Sequence, residues 1–151
     1  MDNLAASTEA PEAPRTDVRI YGVPSDEARA LWPHVVGFVK PALDIAGGAY
    51  LPEHVLADIV SRDSQLWIAV VGDRISGCVI SRILRHPNLS EIFCPVVGGD
   101  GLDVWGAPLF ERIEAFARSV GATRIEGVGR RGWARALPGM KEVGSLMRKV
   151  L

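Results

Sequence analysis

The sequence predicts a single α/β domain on a mixed central sheet, with elements in the order β-α-α-β-β-β-α-β-α-β. Three observations lead there. Ser64 to Val97 reads as three apolar, β-branched strands joined by the turns Gly72-Asp73 and His86-Pro87-Asn88. The third strand runs into Gly98-Gly99-Asp100-Gly101 and then an amphipathic helix reaching Gly121. Strands of this kind, feeding a helix through a glycine loop, suggest a sheet with an anion-sized gap at its centre. Finally, 151 residues suit one domain with a real core and are too few for two.

Taken in order, Met1 to Arg15 is rich in Ala, Pro, Ser and Glu and offers almost nothing to bury, so residues 1–16 read as a flexible arm. The domain proper is expected over 17–151. Val18, Ile20 and Val23 alternate with polar neighbours as a first strand. Ser25, Asp26 and Glu27 mark a helix start, with acids in the first turn. Leu31, Trp32, Val35, Val36, Phe38 and Val39 form its apolar face. Pro33 and Pro41 predict a kink or two short helices there. Pro52 begins a second helix, burying Val55, Leu56, Ile59 and Val60. Ser64 to Val71, Arg74 to Arg85 and Ser90 to Val97 are the three central strands. Beyond the third helix, Thr123 to Val128 is a strand, Arg130 to Leu137 a short helix, and Glu142 to Val150 a final strand.

Composition narrows the function classes. Apolar residues make up 48% and charged residues 23%, the balance of an ordinary globular domain. A net charge of −1 gives no reason to expect nucleic acid or an acidic membrane as partner. No apolar run approaches membrane-spanning length and no signal peptide pattern appears, so a cytoplasmic setting is expected. Cys78 and Cys94 fall inside strands, where free cysteine behaves as a small buried hydrophobe. His34, His54 and His86 are scattered and suit surface or capping roles, so no metal is expected. Trp32, Trp67, Trp105 and Trp133 fall in four elements and read as core.

The glycine loop has two readings. Unpaired amides at a helix start, with the helix dipole behind them, attract an anion, and glycines let a pyrophosphate approach. Asp100 and Asp103 fit ordinary capping instead. Arg130 and Arg131, after the penultimate strand, are candidates to bring two guanidinium forks to the same gap, or a solvated pair. Glu91 is a candidate general base, or an outward strand carboxylate. Cys94 has no histidine placed by sequence to activate it as a nucleophile.

The element order and the loop resemble the GNAT family of N-acetyltransferases. Several segments are similar, more narrowly, to small GNAT-like proteins of phage, prophage and gene-transfer-agent structural gene clusters. These are Gln65-Leu66-Trp67-Ile68-Ala69-Val70, Arg112-Ile113-Glu114-Ala115-Phe116-Ala117, Gly129-Arg130-Arg131-Gly132-Trp133, Leu137-Pro138-Gly139-Met140 and Met147-Arg148-Lys149-Val150-Leu151. The likeness covers Val18 to Leu151.

The resemblance implies a GNAT fold, with Gly98, Gly99 and Gly101 at the acetyl-CoA pyrophosphate and the fourth strand along the thioester. It also marks departures. Pro95, Val96 and Val97 stand where the family has Gln or Arg ahead of its glycines, and Trp133 stands where a tyrosine acid is expected. Two functions follow. One is an acyl-CoA-dependent N-acetyltransferase with a degenerate loop. The other is a non-catalytic component of a phage-like particle, its N-terminal arm docked on a neighbouring virion subunit. The missing tyrosine and the acids incline the sequence to the second.

Overall fold

Alternation of side chains along each strand divides the core in two, one half on either face of a five-stranded sheet. The computed structural model describes residues 17–130 and 132–151; the arm expected over 1–16 and Arg131 lie outside the described residues. Strands β1 (Val18–Val23), β2 (Gln65–Val71), β3 (Arg74–Arg85), β4 (Ser90–Gly99) and β5 (Arg124–Gly127) lie side by side in chain order. The first four pair antiparallel and β5 pairs parallel to β4, so the sheet is mixed. A parallel pair cannot be closed by a hairpin. Helix α3 (Leu102–Ser119) supplies the crossover.

Leu66, Ile68, Cys78 and Ile80 face α1 (Ala28–Ile45) and α2 (Pro52–Val60). Their neighbours Trp67, Ala69 and Val79 face α3 and the short α4 (Trp133–Ala136). Trp67 meets Phe116 edge to face at 5.4 Å. Its indole N–H donates to Ser81 Oγ at 2.9 Å, and that hydroxyl donates to Gln65 Oε1 at 2.8 Å, so the buried polar groups are satisfied. The tryptophans do pack into the two cores, Trp67 and Trp105 buried and Trp32 and Trp133 in part.

Three expectations need correction. Pro33 and Pro41 do not divide the first helix, which is continuous over 18 residues after a 3₁₀ turn at Ser25–Glu27. Both prolines lie on its exposed face, so the carbonyls they leave unbonded, on Arg29 and Gly37, turn toward water. Meanwhile Ala28, Val35, Val39 and Leu43 hold the other face on the sheet. Second, Gly98 and Gly99 are not loop residues; they end β4, paired with Cys78 and Gly77. Third, the final strand over Glu142–Val150 does not form. Residues 141–151 carry no helix or strand, because nothing among the described residues pairs with them.

Candidate functional site

The site begins with a proline. Ile80 pairs with Val96 and Arg82 with Phe93, so Cys94 and Pro95 together face Ser81 alone. That is a β-bulge, placed where Pro95 has no N–H for the ladder. Its effect shows in the packing. Ile92 and Cys94 lie in the α3-side core, yet Val96, two residues on, lies in the α1-side core. Without a bulge all three would share a face. Pairing between β4 and β5 stops at the same point, its last partners being Cys94 and Gly127. Beyond the bulge β4 continues with β3 alone. The two parallel strands thus fork.

At the far end of β4, the start of α3 is open. Gly101 precedes the helix in the left-handed region, φ 77°, and no side chain caps it. The capping reading of Asp100 and Asp103 is therefore not realised. Asp100 acts through its backbone: its amide donates to Ser76 O at 2.9 Å, and its carbonyl accepts from Trp105 Nε1 at 2.7 Å. Val104 and Trp105 amides return to Gly101 O, at 2.8 and 3.2 Å. The amides of Gly101, Leu102 and Asp103 have no acceptor among the described residues. Unpaired N–H groups at the positive end of an 18-residue helix are suited to an anion.

The glycines have another explanation besides a ligand. A Cβ on Gly98 would strike the Phe38 carbonyl of α1, and one on Gly99, at φ 130°, would strike Ser76 O and Gly77. Gly77 in turn leaves room for the Trp105 ring. Close backbone packing accounts for three glycines. Only the Gly101 amide joins the open set.

The remaining candidates disperse. Glu91 lies seven residues before Gly98 on one strand, about 23 Å away at the usual rise. It is 2% exposed, and Oε2 accepts from Arg124 Nε at 2.8 Å with Nη2 also at 2.8 Å. His86 Nε2 stands 3.4 Å from the same oxygen. Arg130 is exposed in the turn before α4, its carbonyl accepting from the Trp133 amide at 3.0 Å. Arg131 lies outside the described residues. His54 Nδ1 accepts from the Leu51 amide at 3.0 Å, a capping role. Among the described residues no group of His, Cys, Asp and Glu could hold a metal.

Trp133 was read from sequence as core, and the fold gives it a second position. A Cβ on Gly127 would lie 2.8 Å from Cys94 O and 2.9 Å from the Trp133 ring. The indole therefore stands at the base of the fork. Pro95 was the signal in the sequence for this geometry, since proline inside a strand marks a bulge or an edge.

Cys94 beside the fork and Cys78 behind it are free and buried, and burial pushes both thiols up to about 12. Neither is a nucleophile at neutral pH. We expect no reaction of native protein with a thiol-specific disulfide reagent, and two reactive thiols per chain in denaturant. Because the folded values lie above the ordinary 9.0, the unfolded chain loses these protons first, and stability should fall as pH rises from about 9 to about 12. Urea midpoints across that range test the sign.

No protein-family model matches the chain, and no curated protein does. Solved structures do. An aminoglycoside acetyltransferase from an uncultured soil metagenomic sample, in complex with sisomicin, superposes with a TM-score of 0.67 at 12% identity, covering 89% of this chain and 96% of that one. A predicted acetyltransferase with acetyl-CoA from Clostridium acetobutylicum gives 0.60 at 8%, with coverage of 89% and 96%. A ribosomal-protein-alanine N-acetyltransferase from Brucella melitensis biovar Abortus 2308 gives 0.55 at 13%, with 89% and 100%. The chain has the fold of the GNAT acetyltransferases. No helix of the described residues is long and apolar enough to cross a membrane.

Proposed function

We propose that the chain is an acyl-CoA-dependent N-acetyltransferase acting on an amine. The observation that carries this reading is the alignment of the Pro95 bulge, the β4–β5 fork and the uncapped start of α3 on one strand. The fork offers an extended backbone edge to a pantetheine arm, and the amides of Gly101, Leu102 and Asp103 offer donors to the pyrophosphate. Acetyl-CoA, when bound, supplies an activated acyl group as a thioester. The chain's own contribution is positioning: Cys94, Gly127 and Trp133 wall the reacting end and exclude water. Glu91, committed to Arg124 at the other end of β4, is given no part. An acetyltransferase with acetyl-CoA and an N-acetyltransferase among the similar folds support this reading.

A second reading keeps the fold and drops the reaction: a non-catalytic component of a phage-like particle, with the arm of residues 1–16 docked on a neighbouring subunit. Trp133 favours it, because indole donates a hydrogen bond but is no acid for a thiolate.

Calorimetric titration with acetyl-CoA at low salt separates the two. The enzyme reading expects a Kd on the order of micromolar. Asp103→Asn removes an exposed carboxylate from the first turn of α3; at ~6 Å in water the repulsion of an anion that this relieves is about 0.7 kcal/mol, so affinity should rise about threefold. That gain should fade at high salt. No binding at millimolar acetyl-CoA would remove the enzyme reading and leave the second.

A further inference from the structure

A cavity of about 400 Å³ opens at the outer edge of the sheet, where β1 ends and β2 begins, two strands from β4. Its size lies within the range of small-molecule sites, about 300–1,000 Å³. Ile59 and Phe116 give it an apolar wall, while Asp26, Arg62, Ser64 and Gln65 bring polar groups. Two of these are donors held in place with nothing to bond. Ser64 is 6% exposed; its amide donates to Asp58 O at 3.0 Å, but its hydroxyl has no partner among the described residues. A buried hydroxyl left unpaired is destabilising until an acceptor reaches it. Gln65 is oriented from behind. Ser81 Oγ accepts from Trp67 Nε1, so its own proton goes to Gln65 Oε1 at 2.8 Å. The NH₂ end of Gln65 is left without an acceptor among the described residues.

Arg62 is the third donor, and its backbone is unusual. It follows α2 at φ 70°, the one residue other than glycine in the left-handed region among the described residues. Glycine is the common choice just past a helix, because a Cβ is strained there. Here a long cation stands in that place. Its Nε donates to Ser25 Oγ at 3.1 Å, and neither Nη atom has a partner among the described residues. Asp26 lines the same cavity and makes no ion pair with this arginine. We infer that the cavity is a second binding site, for a small α-amino acid with an apolar side chain.

An amino acid is the ligand that suits every wall. The Arg62 fork, the Gln65 NH₂ and the Ser64 hydroxyl are donors for its carboxylate. Asp26 receives its ammonium group, and Ile59 and Phe116 take its side chain. A simple anion would leave Asp26 repelling it, and a simple amine would meet the Arg62 charge. A wholly apolar ligand would leave three donors unpaired. The site is separate from the β4–β5 fork, and the inference goes beyond the acetyltransferase reading.

Calorimetric titration of the full chain with L-leucine and L-phenylalanine, without acetyl-CoA, is the test. At least one should bind with a Kd of about a millimolar or tighter. For leucine, 4-methylpentanoate and 3-methylbutylamine each lack one charge and should bind at least about tenfold more weakly. Arg62→Gly should lose binding at least about tenfold and melt no lower than the parent, since glycine tolerates the left-handed backbone. Ser64→Ala is the second variant. It should also weaken binding and melt no lower, because it removes a buried hydroxyl that has no partner in the unliganded chain. No binding of either amino acid at about 10 mM overturns the inference. So does equal binding of a single-charge control, or full binding by Ser64→Ala and Arg62→Gly. None of these outcomes depends on acetyl-CoA, so this site and the acetyltransferase reading fail separately.

Discussion

Gly98→Ala is expected to destabilise the fold by about 3 kcal/mol or more, near the top of the range for forcing a carbon into a packed core. The added Cβ meets the carbonyl of Phe38, which is backbone of a helix and cannot swing aside. Relief requires lifting α1 from the sheet, where Val35 and Val39 are fully buried. For a domain held by roughly 5–15 kcal/mol, that is a large fraction. Gly37→Ala is the control. It lies on the exposed face of the same helix with nothing within 4 Å of a new Cβ, so it should stabilise by about 0.5–1 kcal/mol. Urea midpoints of the two variants should move in opposite directions. If Gly98→Ala melts with the parent protein, α1 does not approach β4 as described. The comparison also bears on the site: a glycine variant here loses acetyl-CoA binding by losing the fold, which is why the binding test uses Asp103.

Arg124→Ala should cost about 3 kcal/mol, against about 1 kcal/mol for Glu91→Gln. The asymmetry follows from burial. The Glu91 side chain is 3% exposed and the Arg124 side chain 48%, so removing the arginine strands a buried carboxylate, whereas removing the charge on Glu91 leaves a guanidinium that water can reach. His86, at 3.4 Å and itself 45% exposed, replaces only part of the lost partner. Thermal melts of the two variants check the order. Equal losses would mean that Glu91 is solvated in solution, and would return it to consideration as a base.

Much of the fold was legible because it rests on local pattern. Apolar, β-branched runs located β2 and β3, the turn at Gly72-Asp73 set their connection, and the stripe of Trp105, Phe110 and Ile113 located α3. The site was legible only in outline. Gly98 and Gly99 attracted attention as phosphate-loop glycines, whereas their neighbours in space, Phe38 and Ser76, account for them. No sequence pattern announces a carbonyl arriving from a helix sixty residues away. Glu91 looked like a strand carboxylate with no partner in sight. Its partner Arg124 comes from the next parallel strand, reached only after the α3 crossover.

The sequence by itself determined the fold class and placed the glycine turn ahead of α3, since hydrophobic period and turn residues act within a few residues of one another; whether that helix start was capped or open it left undecided. Only the tertiary structure decided the rest. It decided that Pro95 makes a bulge, because a bulge is a count of residues against a partner strand. Whether 142–150 becomes a strand was likewise beyond local pattern. Strand propensity supplies the conformation, but a strand exists only where a sheet edge meets it, and among the described residues none does.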